Sequence, residues 1–179
     1  MSGEFENFSE AARLYAKYAG VVEEMRELFV TNISAFLDAV RDRMRSQVKD
    51  GCKLGEWRSD KYINWWIEDP ESDDDCPYVW IESQLPEIVE PGILKLIATA
   101  GSTRDRNQQF AAVRETLRLP TNCEITKGGG LFTVRVSYGD TDPIANAAQP
   151  TLAILTALYD ADLNLRETTK RARTPKAGE

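Results

Sequence analysis

Six acidic side chains fall within eight positions: Glu68, Asp69, Glu71, Asp73, Asp74 and Asp75. Carboxylate oxygens at such density are what a hard divalent cation takes as ligands. The run lacks the alternating spacing and the turn glycine of a calcium loop, so it reads as a solvated connection and no metal is expected in it. Lys127-Gly128-Gly129-Gly130 offers a glycine-rich stretch of the kind that cradles phosphate. A phosphate loop must open a helix, and here strand-like sequence follows, so the stretch reads as a hairpin loop. Cys52, Cys76 and Cys123 form no CxxC pair and are odd in number, which suits free thiols in a reducing compartment. The chain contains no histidine, which removes every His-dependent triad or dyad and the commonest metal ligand. No catalytic residue and no cofactor is expected on these grounds.

One pairing of carboxylates remains. Asp69, followed by Glu82-Ser83-Gln84 on a predicted strand, resembles the metal-binding carboxylates of PD-(D/E)xK-type nucleases. In those enzymes two strand ends hold a metal that activates water. Glutamine stands here where that pattern has lysine. A nuclease-like enzyme using Asp69 and Glu82 is therefore the alternative to a binding protein.

Aromatic residues give a different signal. Trp57, Trp65, Trp66 and Trp80 are close in sequence, and strand alternation puts Trp65 and Trp66 on opposite faces. Residues 61–67 and 78–84 read as strands, with room for a short strand at 54–58 before them. Ile63, Trp65 and Ile67, with Val79 and Ile81, make an apolar face. Tyr62, Trp66, Tyr78 and Trp80 then share the amphipathic face with Asn64, Glu82 and Gln84. Aromatics among polar neighbours are typical of partner-binding surfaces. The competing reading is that a helix or a second subunit covers this face as ordinary core.

The elements that must position these residues follow in order. Residues 8–49 read as one long helix with Ser9 as a cap. Its apolar stripe runs through Leu14, Tyr18, Val21, Met25, Leu28, Phe36 and Val40. A helix of that length reaches about 60 Å, more than one small domain covers. Either it bends back near 31–34 or a partner covers the stripe, and a homo-oligomer formed through those seven residues is expected. Asn32 falls where the heptad next calls for an apolar residue, while the stripe drifts to Phe29 and Ile33, so Asn32 is expected to face solvent or mark a bend. Strands follow at 61–67, 78–84 and 92–99, then a short helix to about 119 stopped by Pro120. A hairpin of strands at 123–127 and 131–138 leads to a last helix, with Asp142-Pro143 and Pro150 as start signals. The expected class is α+β: a long N-terminal helix and an antiparallel sheet of about five strands in the order α-βββ-α-ββ-α, with helices packed on it. Residues 1–50 form the helix, 51–170 the sheet domain and 171–179 a disordered tail.

The net charge of −7 disfavours nucleic acid as a partner. No apolar run approaches the ~20 residues of a membrane span, and the N-terminus lacks a signal-peptide layout, so a cytoplasmic protein without membrane contact is expected.

This element order and acidic charge resemble the type III secretion chaperone fold and the related YbjN-like families, over roughly residues 30–168. The stretch that carries the resemblance is FAAVRETLRLPTNCEITKGGGLFTVRVSYG followed by the TLAILTALYDADLNL helix. It implies a small, acidic, non-enzymatic and often dimeric protein that holds an extended segment of a partner against apolar surface. The first helix here reads about twice as long as those families have. An acidic inhibitor or immunity protein that blocks a basic site on its target fits the same composition.

Overall fold

A computed structural model of the chain describes residues 3–59, 61–68, 79–84, 92–101, 110, 112–126, 130–139 and 141–173. The acidic run from Asp69 to Asp75 lies outside them, as do Tyr78 and the glycines at 128 and 129. The chain forms two compact units, residues 1–38 and 39–179.

The first unit is helical. Helix α1 spans Gly3–Arg45 and crosses into the second unit. It begins earlier than Ser9 and is continuous through residues 31–34, so one uninterrupted helix stands where a hairpin was the other option. Nothing in the sequence breaks it, since the first proline is Pro70. Arg43 and Arg45 sit in its last turn, where cations meet the negative end of the helix dipole.

The second unit is built on a six-stranded antiparallel sheet in the order β1-β2-β3-β4-β6-β5. The strands are β1 Lys53–Arg58, β2 Tyr62–Glu68, β3 Val79–Gln84, β4 Ile93–Ala100, β5 Cys123–Thr126 and β6 Phe132–Ser137. The sixth strand, added to the expected five or so, is β1, where the sequence offers a possible short strand at 54–58. Its sequence KLGEWR mixes charge and glycine, so it lacks the β-branched content that marks β2. It forms because tertiary pairing with β2 overrides weak local propensity. One row of residues crosses the sheet as Glu56, Trp65, Ile81, Ala98 and Phe132. All but Glu56 in this row are almost wholly buried, as are Leu94, Leu96, Val134 and Val136 on the same face. That face is the core.

Helix α2, Pro143–Arg173, packs against β2, β3, β4 and β6 through Ala147, Ala148, Ile154, Leu155 and Leu158. The Asp142 carboxylate accepts from Ala145 N at 3.2 Å, and Pro143 takes the first helical position, where no N–H is needed. Pro150 lies inside the helix and does not start it. A proline there strips the carbonyl of Asn146 of its intrahelical donor. Asn122 Nδ2 fills the role at 3.3 Å, while also donating to Ser137 O at 3.0 Å. The helix reaches Arg173, into the segment read as a tail, and residues 174–179 lie outside the described ones.

One charged group sits at the edge of the core. Glu56 accepts from Trp65 Nε1 at 2.9 Å and from Arg41 Nη1 at 3.3 Å. Arg41 belongs to the last turns of α1, next to the fully buried Val40 and Met44.

Candidate functional site

The pleat alternates side chains strictly, so every residue between two core positions lies on the second face of the sheet. On β2 these are Tyr62, Asn64 and Trp66, and on β3 they are Trp80, Glu82 and Gln84. All six are only half-buried, in contrast to Ile63, Trp65 and Ile81 beside them. Tyr62 pairs with Gln84 and Asn64 with Glu82. The same register carried one step further sets Trp66 across from Trp80. Three of the four aromatics singled out from the sequence, Tyr62, Trp66 and Trp80, therefore share one surface, while Tyr78 lies outside the described residues.

Strand β1 completes that surface. Trp57 pairs with Asn64, remains 49% exposed, and meets the Tyr62 ring at a centroid distance of 5.4 Å. The tight β1–β2 connection fixes this contact: Ser59 Oγ accepts from Lys61 N at 3.1 Å and Tyr62 N at 3.2 Å. Gly55 pairs with Trp66, and a Cβ at Gly55 would overlap Trp66 Cε2 and Nε1. The Trp66 indole occupies the space that a side chain at Gly55 would fill.

A row runs across this face as Trp57, Asn64, Glu82, Ile97, Thr133 and Thr126. Among the described residues, Asn64 Oδ1, Trp80 Nε1 and Thr133 Oγ1 are buried atoms without a hydrogen-bond partner, and Thr133 is only 3% exposed. A buried polar atom left unpaired costs about 1–3 kcal/mol. One acceptor, one donor and one hydroxyl of this kind lie on the aromatic face. Sequence reasoning missed Trp57, Gly55 and Thr133 as members, because their membership follows from strand pairing.

Glu82 sits in mid-strand, and its Oε1 accepts from Gln84 Nε2 at 3.2 Å. Asp69, its presumed partner in the two-carboxylate pattern, lies outside the described residues. Among the described residues no group of three or more Cys, Asp or Glu comes together to hold a metal. Burial pushes the Cys123 thiol up from its usual 9.0 to about 11, so it is no thiolate near neutral pH. Cys52 Sγ lies 3.7 Å from the Tyr159 hydroxyl.

On α1, Leu14, Tyr18, Val21, Met25 and Leu28 are all exposed, joined by Tyr15, Phe29 and Val30. Phe36 is half-buried, and Val40, the last residue of the expected oligomerisation stripe, is fully buried in the sheet-bearing unit. The stripe open to a partner therefore ends before Val40. Among the described residues no helix is long and apolar enough to cross a membrane.

No family model, no curated protein and no solved structure matches this chain.

Proposed function

We propose that the chain is a non-enzymatic protein-binding module of the cytoplasm, chaperone- or adaptor-like, that captures a segment of a partner protein on the open face of its sheet. It acts as a homo-oligomer held through the exposed stripe of α1. The observation that carries the binding reading is the aromatic face. Trp57, Tyr62, Trp66 and Trp80 lie together on it, half-buried or exposed, with three buried polar atoms unpaired among them and their neighbours. A solvated sheet face needs no such investment in tryptophan. A face that meets another protein uses it, because tryptophan supplies large contact area at small entropic cost and dominates interface energetics. An extended partner segment would lay backbone and side-chain groups against the half-buried Tyr62, Asn64, Trp66 and Trp80.

The test begins with a photo-crosslinking residue at Trp57, on the rim of the face, to trap and identify the partner in cells. Affinity and thermal stability are then measured on Trp66→Ala and Trp80→Ala with that partner. Each substitution is expected to weaken binding by about 2 kcal/mol or more, roughly 30-fold, with a smaller loss of stability than the ~3–5 kcal/mol of a core aromatic deletion. A large fall in melting temperature for both variants, with affinity intact in the folded fraction, would show that the face is core.

A further inference from the structure

Eight large apolar side chains of one helix stand in solvent: Leu14, Tyr15, Tyr18, Val21, Met25, Leu28, Phe29 and Val30. Leu14, Tyr18, Val21, Met25 and Leu28 are spaced 4, 3, 4, 3, the interval of a helix seam. The flanks of that seam differ. On one side lie Tyr15 and Phe29. On the other lie Glu10, Lys17, Glu24 and Thr31, all exposed. The asymmetry decides how two such helices can meet. A two-fold axis along the helices brings unlike flanks together, so Phe29 would face the charged Glu24 side of its copy. A two-fold axis across the helices brings each flank against itself, apolar to apolar and charged to charged.

We infer that α1 pairs antiparallel with α1 of a second copy of this chain, with Leu14 opposite the partner's Met25 and Tyr18 opposite the partner's Val21. This inference rests on the self-association proposed above and adds its orientation and register. In this register Lys17 lies beside the partner's Glu24, and symmetry makes the contact twice. No like charges meet along that flank: Glu10 falls beside the partner's Thr31. In the parallel arrangement Lys17 gains no opposite charge. The overlap extends from Gly3 of one copy to the partner's Phe36, and so ends before Ala39, where the sheet-bearing unit begins. The register uses the whole exposed length of the stripe and needs none of the buried Val40 or Met44. The same pairing explains the otherwise unaccounted Tyr15, which is 73% exposed in a single chain.

Light scattering on the full chain gives the association state, and a nitroxide at Glu10→Cys gives the orientation. The label is placed in a chain whose three native cysteines are serine. The expected result is a mass of twice 20.1 kDa or a multiple of that dimer, with a spin–spin distance of about 30 Å, from roughly 19 residues of axial offset at about 1.5 Å each. Lys17→Glu should weaken association about tenfold, and Lys17→Glu combined with Glu24→Lys should restore it, since the swap re-creates opposite charges only across an antiparallel pair. A monomer at tens of micromolar overturns self-association and this inference together. A dimer with labels about 10–15 Å apart, which would also set Asn32 against its own copy, overturns the antiparallel register and leaves self-association standing.

Discussion

Asn122 compensates for a proline in the middle of a helix, and the compensation has a measurable size. Pro150 has no N–H, so Asn146 O has lost the donor that a regular helix supplies. Asn122 Nδ2 donates to it at 3.3 Å and to Ser137 O at 3.0 Å, tying the first turns of α2 to the end of β6. Each hydrogen bond contributes about 1 kcal/mol net, so Asn122→Ala is expected to destabilise the fold by about 2 kcal/mol. In urea, with a slope of about 2 kcal/mol/M, the midpoint falls by roughly 1 M. Pro150→Ala returns the N–H to the helix. Asn146 O then has its own donor, and removal of Asn122 costs only the Ser137 bond, about 1 kcal/mol. The double-mutant cycle should therefore show a coupling of about 1 kcal/mol, above the roughly 0.3–0.5 kcal/mol within which independent sites add. Additivity within that margin would refute the idea that Asn122 serves the carbonyl exposed by Pro150.

Gly55→Ala should move the Trp66 indole off β1 and destabilise the fold by about 1–2 kcal/mol, because the displaced ring loses its packing and a staggered rotamer. Fluorine NMR of fluorotryptophan-labelled protein should show the Trp66 resonance shifting. An unshifted resonance with stability raised by the ~0.5–1 kcal/mol expected for replacing a strand glycine would contradict this. Cys123 should resist alkylation until the pH nears 11, since burial holds its proton. Its folded pKa lies above the unfolded one, so its contribution to stability is present below pH 9.0 and is lost as pH rises towards about 11; Cys123→Ser should flatten that part of the stability profile. Plasmid and oligonucleotide substrates should survive incubation with magnesium or manganese. Cleavage abolished by both Asp69→Ala and Glu82→Ala would replace the binding reading with the nuclease one.

The α+β class and most of the elements were legible because they rest on local signals. The long helix follows from an unbroken 3.6-residue pattern without proline, and β2 and β3 from β-branched and aromatic alternation. That alternation also separates Ile63, Trp65 and Ile81 from Tyr62, Trp66 and Trp80. What escaped was set by pairing. Strand β1 was legible only as a possible short strand at 54–58, because Gly55 and three charged residues in six positions weaken its local signal, and its ladder with β2 makes it a strand. Trp57 joins the aromatic face through its register opposite Asn64, and Thr133 through its register opposite Ile97. The burial of Val40 was equally invisible, because the stripe continues through it without a change in period. Pro150 read as a helix start because nothing local announces that Asn122, far away in sequence, repairs the break.

The strand order carries a consequence for how the chain assembles as it is made. Strands β1, β2 and β3 each pair with the next in sequence, and β5 pairs with β6, so both groups can zip up locally. Only the β4–β6 ladder joins them, with Ala98 opposite Phe132 and Ile93 opposite Ser137. That seam requires closure of the longest loop in the sheet and is therefore expected to be the last ladder to form. Until Ser137 has left the ribosome, the four-stranded half presents the free edge of ILKLIATA, an apolar strand with a single charge, beside its uncovered core face. This is the interval in which the nascent protein is most prone to join edges with a neighbour. A translational pause placed before β6 would lengthen that interval, and one placed after it would not.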